Sequence, residues 1–245
     1  MLRQLSNLWH FGRLRTNAET PRSRKPKLLR ARPDLEIRNY LEFVVAHHNR
    51  PHDEFFFVQV GAFDGQVADP LYQLVHRHHW QGILVEPQAD MFEQLKQNYD
   101  RESRLQFFNV AIGSEDGEIE FFTRSTGGTQ VASTQRHLLI KPGHPSSDVK
   151  MLLLPCWTLQ TLLEKAGVNR QVDLLQIDAE GFDYEIIRGI DFQKMRPSII
   201  RYEHMVLSET DRNACLELLG SHGYRFILED VDTTAIHWQD SQMAA

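Results

Sequence analysis

The run Phe55-Phe56-Phe57-Val58-Gln59-Val60, followed at once by Gly61-Ala62-Phe63-Asp64-Gly65, is the most informative stretch of the chain. All but one of its six residues are bulky and apolar. An extended segment of this kind buries both faces, as the strands of a parallel sheet wrapped by helices do. The two glycines after it permit positive φ and let backbone approach a ligand, so this is a nucleotide-type turn. Its spacing is not G-x-G-x-x-G, and a dinucleotide with its pyrophosphate on the next helix is poorly matched.

Outward from this point the pattern alternates strand and helix. It predicts a helix over Pro70–His79, a strand over Gly82–Val85, a helix over Met91–Tyr99, and strands over Leu105–Ile112 and Glu118–Thr123. A loop from Arg124 to Lys150 carries Gly127, Gly128, Pro142 and Gly143; it reads equally as a substrate-covering lid or a surface insertion. Beyond it come a strand Leu152–Cys156, a helix Leu159–Ala166, a strand Asp173–Ile177, a helix Tyr184–Gly189, a strand Ser198–Tyr202 and a helix Glu209–His222. The last two strands, Tyr224–Asp230 and Thr234–Trp238, are close enough to pair as a hairpin. The class is therefore α/β, doubly wound, with a mostly parallel sheet and an antiparallel edge strand. The expected organisation is a basic flexible arm over 1–34, a covering helix over 35–52, the catalytic domain over 53–240 and a disordered tail over 241–245.

In doubly wound folds the ligand sits outside the carboxyl ends of the strands, so the residues just after each strand carry the chemistry. Glu86 ends the strand Gly82–Val85, and a carboxylate there can accept hydrogen bonds from both hydroxyls of a ribose. With the glycine turn it points to an adenosine-type ligand, with Pro87 beside it. Asn109, Ala111 and Ile112 follow the next strand, where small and apolar residues can border a flat base or simply fill the core. Asp178 and Glu180 leave the strand Asp173–Ile177. As i and i+2 on a continuing strand they would point the same way and raise one another's pKa, which suits a general base or a ligand clamp. Tyr202-Glu203-His204 ends a further strand, where His204 could take a proton near neutral pH. A divalent cation on Asp178, Glu180 and Glu203 is a minor alternative, and His76, His78 and His79 read as a polar helix face rather than metal ligands. No metal site is expected.

These features occur in order. FVQVGAFDGQVADPLY (57–72), WQGILVEPQADMFEQLKQNY (80–99), FFNVAIG (107–113), TLQTLL (158–163), VDLLQIDAEGFDYEIIRGIDF (172–192) and RPSIIRYEH (196–204) together resemble the FkbM-type methyltransferases, a family with a Rossmann-like fold that uses S-adenosylmethionine. The resemblance spans about residues 55–238. It implies methyl transfer to a hydroxyl oxygen of a sugar, glycan or secondary metabolite. By matching positions, Gly61, Ala62, Asp64 and Gly65 flank the methionine end, Glu86 and Pro87 the ribose, and Asn109, Ala111 and Ile112 the adenine. Asp178 and Glu180 match the family's Ile-Asp-x-Glu-Gly block. Two departures stand out: Gln176 where many members carry lysine, and Gln59 where an aspartate is common.

Composition bounds the alternatives. Nine of the 27 basic residues and one of the 33 acidic ones fall in residues 1–33, which leaves the rest of the chain at −14. An acidic body argues against a nucleic-acid substrate, while the arm could make weak peripheral contact with a membrane. No run approaches the ~18 apolar residues of a membrane span and no secretory signal is present, so a cytoplasmic location is expected. Cys156 and Cys215 stand alone and read as buried and reduced. Two other readings stay open: a nicotinamide-dependent oxidoreductase, disfavoured by the missing fingerprint, and a catalytically idle scaffold working through the arm. Oligomeric state is not legible.

Overall fold

The computed structural model describes residues 28–30, 41, 51, 54–99, 102–124, 132–140 and 146–237. In chain order the elements are β1 (Leu28–Arg30), β2 (Phe56–Val60), α1 (Tyr72–His78), β3 (Gln81–Val85), α2 (Ala89–Asn98), β4 (Leu105–Phe108), β5 (Ala111–Ile112), β6 (Gly117–Arg124), β7 (Ala132–Ser133), β8 (Val149–Trp157), α3 (Leu159–Lys165), β9 (Leu174–Ile177), α4 (Asp183–Arg188), β10 (Ile199–Glu203), α5 (Glu209–Ser221), β11 (Tyr224–Leu228) and β12 (Asp232–His237).

Eight strands form the main sheet in the order β1-β11-β12-β10-β9-β2-β3-β4. Seven run in one direction, and β12 is antiparallel to both β10 and β11. The late hairpin thus sits toward one edge of the sheet as expected, with the antiparallel strand as its inner member. β1 pairs outside it, so three residues of the sequence read as a flexible arm are strand. The rest of the arm, the covering helix except Leu41, and the tail lie outside the described residues. Leu41 is helical and buried.

Alternation along β2 builds two cores. Phe56, Val58 and Val60 pack with Leu162, Ile186 and Leu219 from α3, α4 and α5 on one face. Phe55 and Phe57 pack with Leu74, Trp80 and Leu95 from the α1 and α2 side on the other. A strand apolar at nearly every position is what such a two-sided core requires. The winding reverses between β2 and β9, and that is the topological switch point.

The expected strand Leu105–Ile112 divides. β4 ends at Phe108, and β5 belongs to a second sheet, β5-β8-β6-β7, in which β6 and β8 form a long antiparallel pair. The Arg124–Lys150 loop is likewise not structureless: β7 and the 3₁₀ turns Arg136–Leu139 and Ser146–Asp148 lie within it. Two-residue strands leave no periodicity to read in a sequence.

Candidate functional site

At the end of β2, Gly61 N and Ala62 N both donate to Val85 O at 3.0 Å, tying the turn to β3. Gly61 has φ +76°, and a Cβ on it would lie 1.9 Å from the Asp178 carbonyl oxygen. Only glycine lets β2 and the exit from β9 approach this closely. Asp64 spends Oδ1 on the amides of Gln66 and Val67 at 2.9 and 2.8 Å, and its carbonyl accepts from Asn98 Nδ2 at 2.8 Å. Gly65 backs onto Leu95 and Tyr99.

Glu86 is 3% exposed. Its Oε2 accepts from Phe63 N at 2.9 Å and its Oε1 from Gln88 N at 2.8 Å. Burial pushes its pKa up to about 7 even against these two bonds. A carboxylate has about four acceptor sites, so these two backbone bonds do not exhaust it. Asn109 Nδ2 donates to the carbonyls of Glu86 and Pro87 at 2.8 and 3.0 Å and so pins this strand end.

These residues open onto a cavity of about 220 Å³ at the switch point. Gly61, Ala62, Glu86 and Pro87 form one side; Val110, Ala111, Ile112 and Phe121 give an apolar wall; Gln176, Asp178, Glu180 and Phe182 face them, with Ala132 and Thr134 contributed by the insertion. The lining holds four carboxyl groups, Asp69, Glu86, Asp178 and Glu180, and no Lys, Arg or His among the described residues. Its field therefore favours a cationic ligand over a phosphorylated one.

Asp178 and Glu180 reach the cavity by a different route from the one expected. β9 stops at Ile177, and Glu180 turns left-handed at φ +48°, so the two sit on a turn and not on a continuing strand. That turn is held by the insertion: Ser133 Oγ donates to Glu180 O at 2.7 Å and Gln135 Nε2 to Gly181 O at 2.6 Å. Asp178 is exposed to the cavity, yet the enclosing walls strip enough solvent to raise its pKa, with the Arg201 guanidinium opposing.

Asp64, Gly65, Asn109 and His204 do not line the cavity. The first three build the turn and the strand end. His204 Nδ1 lies 3.0 Å from Thr233 Oγ1, and burial lowers its pKa. Asp183 is fully buried behind the site; its Oδ1 accepts from Glu203 N, and both acids are pushed up to about 8 by burial and by Asp178. Among the described residues no group of three or more His, Cys, Asp or Glu is placed to hold a metal ion, so the Asp178, Glu180 and Glu203 alternative finds no support in the geometry.

Sequence reasoning missed Asp69. Its Oδ1 accepts from Leu71 N and Tyr72 N at 2.6 and 3.2 Å, its Oδ2 accepts from Gln59 Nε2 at 3.1 Å, and burial raises its pKa to about 6. An Asp-Pro pair before a helix reads as ordinary turn chemistry. Gln59 and Gln176 lie side by side in the pairing of β2 with β9. A polar residue repeated at the same register of two apolar strands was the one available signal.

Residues 59–226 match the Methyltransferase FkbM domain. None of the curated proteins matches. Among solved structures, methyltransferase FkbM from Methylobacillus flagellatus KT is similar at 14% identity, covering 80% of this chain and 46% of that one with a TM-score of 0.48. The chain thus spans under half the length of that protein. Precorrin-6y C5,15-methyltransferase from Geobacter metallireducens GS-15 is 12% identical, with 75% and 82% covered and a TM-score of 0.41. The N-terminal domain of human METTL16 in complex with SAH is 11% identical, with 82% and 68% covered and a TM-score of 0.46.

Proposed function

The chain belongs to the FkbM methyltransferase family, and from that premise we propose that it binds S-adenosylmethionine in the switch-point cavity and methylates a hydroxyl oxygen of a sugar, glycan or secondary metabolite. The observation that carries this reading is a cavity whose charged lining residues, among the described ones, are all carboxyl groups, with Glu86 at a strand end, the position from which an acidic residue of a doubly wound fold can accept from a ribose diol. Among the described residues no Lys or Arg lines the cavity to meet a pyrophosphate, which weighs against the nicotinamide alternative.

The residues fit the cofactor. Gly61 lets the Asp178 backbone close against the turn and itself lines the cavity, Glu86 brings its carboxyl group toward the two ribose hydroxyls, and Val110, Ala111 and Ile112 supply an apolar wall for the base. Bound there, the cofactor supplies a methyl group on a sulfonium centre for in-line displacement. The protein's share is positioning and exclusion of water. In this reading Asp178, in the lining and with a raised pKa, accepts the hydroxyl proton of the acceptor, and Glu180, in the same lining, orients that hydroxyl. His204, outside the lining, is left without this role.

Calorimetry tests the reading. S-adenosylmethionine should bind, and Glu86→Ala should weaken it by about 1–3 kcal/mol, the scale of a charged hydrogen-bonding site lost. A purified protein that shows no binding at millimolar cofactor overturns it.

A further inference from the structure

Among the described residues, two in the cavity lining carry a buried polar atom without a hydrogen-bond partner: Thr134, whose hydroxyl can turn to donate or accept, and Gln59, whose amide oxygen can only accept. Gln59 is 3% exposed and lines the cavity, but its Oε1 is buried without any hydrogen-bond partner. The orientation of the amide is set chemically: Nε2 donates to Asp69 Oδ2 at 3.1 Å, and a carboxylate can only accept. Asp69 is itself fixed, because its other oxygen takes the amides of Leu71 and Tyr72. The neighbouring Gln176 does not satisfy Gln59, since its Oε1 accepts from Arg201 Nη1 and its Nε2 donates to the Ile177 carbonyl. A buried acceptor with its lone pairs unmet is an unusual feature of a folded protein and calls for a donor from elsewhere.

The surroundings specify that donor. Among the described residues the charged groups in the lining are all acidic, so an N–H on a cation is favoured over a neutral hydroxyl. We propose that Gln59 Oε1, held in place by Asp69, receives the ammonium group at the amino-acid end of the cofactor. Gln59 is the contacting residue and Asp69 the positioning residue. The inference rests on the S-adenosylmethionine reading above and adds to it the group that discriminates a complete cofactor from its adenosine fragment.

Three nucleosides separate the possibilities by calorimetry on the full chain: S-adenosylhomocysteine, its analogue lacking only the amino group (the 3-carboxypropyl thioether of adenosine), and 5′-methylthioadenosine, which lacks the amino-acid end. In the unmutated protein, loss of the amino group should weaken binding tenfold or more. In Gln59→Met the first two ligands should bind within twofold of one another, and 5′-methylthioadenosine should bind as it does to the unmutated protein, which also shows that the variant folds. Asp69→Asn should narrow the same gap, because an amide there can donate to Gln59 and turn its Nε2 toward the ligand. If the unmutated protein binds the first two ligands equally, or if Gln59→Met weakens all three by one factor, this proposal is overturned while the cofactor reading stands. If none of the three binds, the cofactor reading falls and the proposal with it.

Discussion

At Glu86 two opposing effects meet: burial that favours the neutral acid, and donors that favour the carboxylate. Its pKa of about 7 means that the form able to accept from a ribose is half populated near neutrality. Cofactor affinity should therefore rise as pH increases from 6 to 8 and level off above that. In Glu86→Gln the component with an apparent pKa near 7 should disappear from the affinity profile. An unchanged profile in the variant would show that another group is responsible. Asp183 poses a different residue-scale problem. It is fully buried, keeps one oxygen on Glu203 N, and leaves Oδ2 unpartnered. An asparagine retains that accepting oxygen and removes the ionisation. Asp183→Asn should raise Tm most at pH 8.5, where the penalty of a proton released on unfolding or of a buried charge is full, and progressively less as pH falls toward 4, where native and unfolded carboxyls are both protonated. A variant less stable at both pH values would mean that Oδ2 serves as a needed acceptor.

Among the elements, the contact between the end of β2 and the exit from β9 is the tightest in the site. Gly61→Ala sets a methyl group against the Asp178 carbonyl at a left-handed φ, with two backbones and no flexible side chain to give way. A loss of about 3 kcal/mol or more is expected, measurable by urea denaturation, with cofactor binding impaired in whatever folds. The insertion between β6 and β8 acts through softer links. Ser133 and Gln135 hold the carbonyls of Glu180 and Gly181, so the element that supplies Ala132 and Thr134 to the cavity also fixes the turn that carries Asp178. Ser133→Ala removes a bond of about 1 kcal/mol. Hydrogen exchange should then quicken at residues 132–139 and 178–182 together while the amides of β2 and β9 stay protected. Exchange that quickens only at 132–139 would show that the two segments move independently.

Among the described residues, six carboxyl groups have pKa values raised by burial: Asp69 and Asp232 to about 6, Glu86 to about 7, Asp183 and Glu203 to about 8, and Asp178. The native state keeps these protons where the unfolded chain has released them, from about pH 4 upward. Through that window the native chain binds more protons, so stability falls as pH rises. Tm should be higher at pH 5.5 than at pH 8.5, and the difference should shrink when cofactor occupies the site and stabilises the Glu86 carboxylate; a Tm that climbs across this range would contradict the burial of these groups. Among the described residues no helix is long and apolar enough to cross a membrane, and Cys156 and Cys215 are buried free thiols. What the sequence determined by itself were the features that depend on near neighbours. Unbroken apolar runs made the strands, glycines made the first turn, and strand-end carboxylates marked Glu86 and Asp178, because strand burial and turn geometry are set within a few residues. Contacts between distant segments set the rest: the division of Leu105–Ile112 between two sheets, the docking of the insertion on the Asp178 turn, and the pairing of Gln59 with Asp69. Asp69, in the loop before α1, is ten residues from Gln59 on β2, and no local pattern can signal that folding would pair them at a ligand cavity.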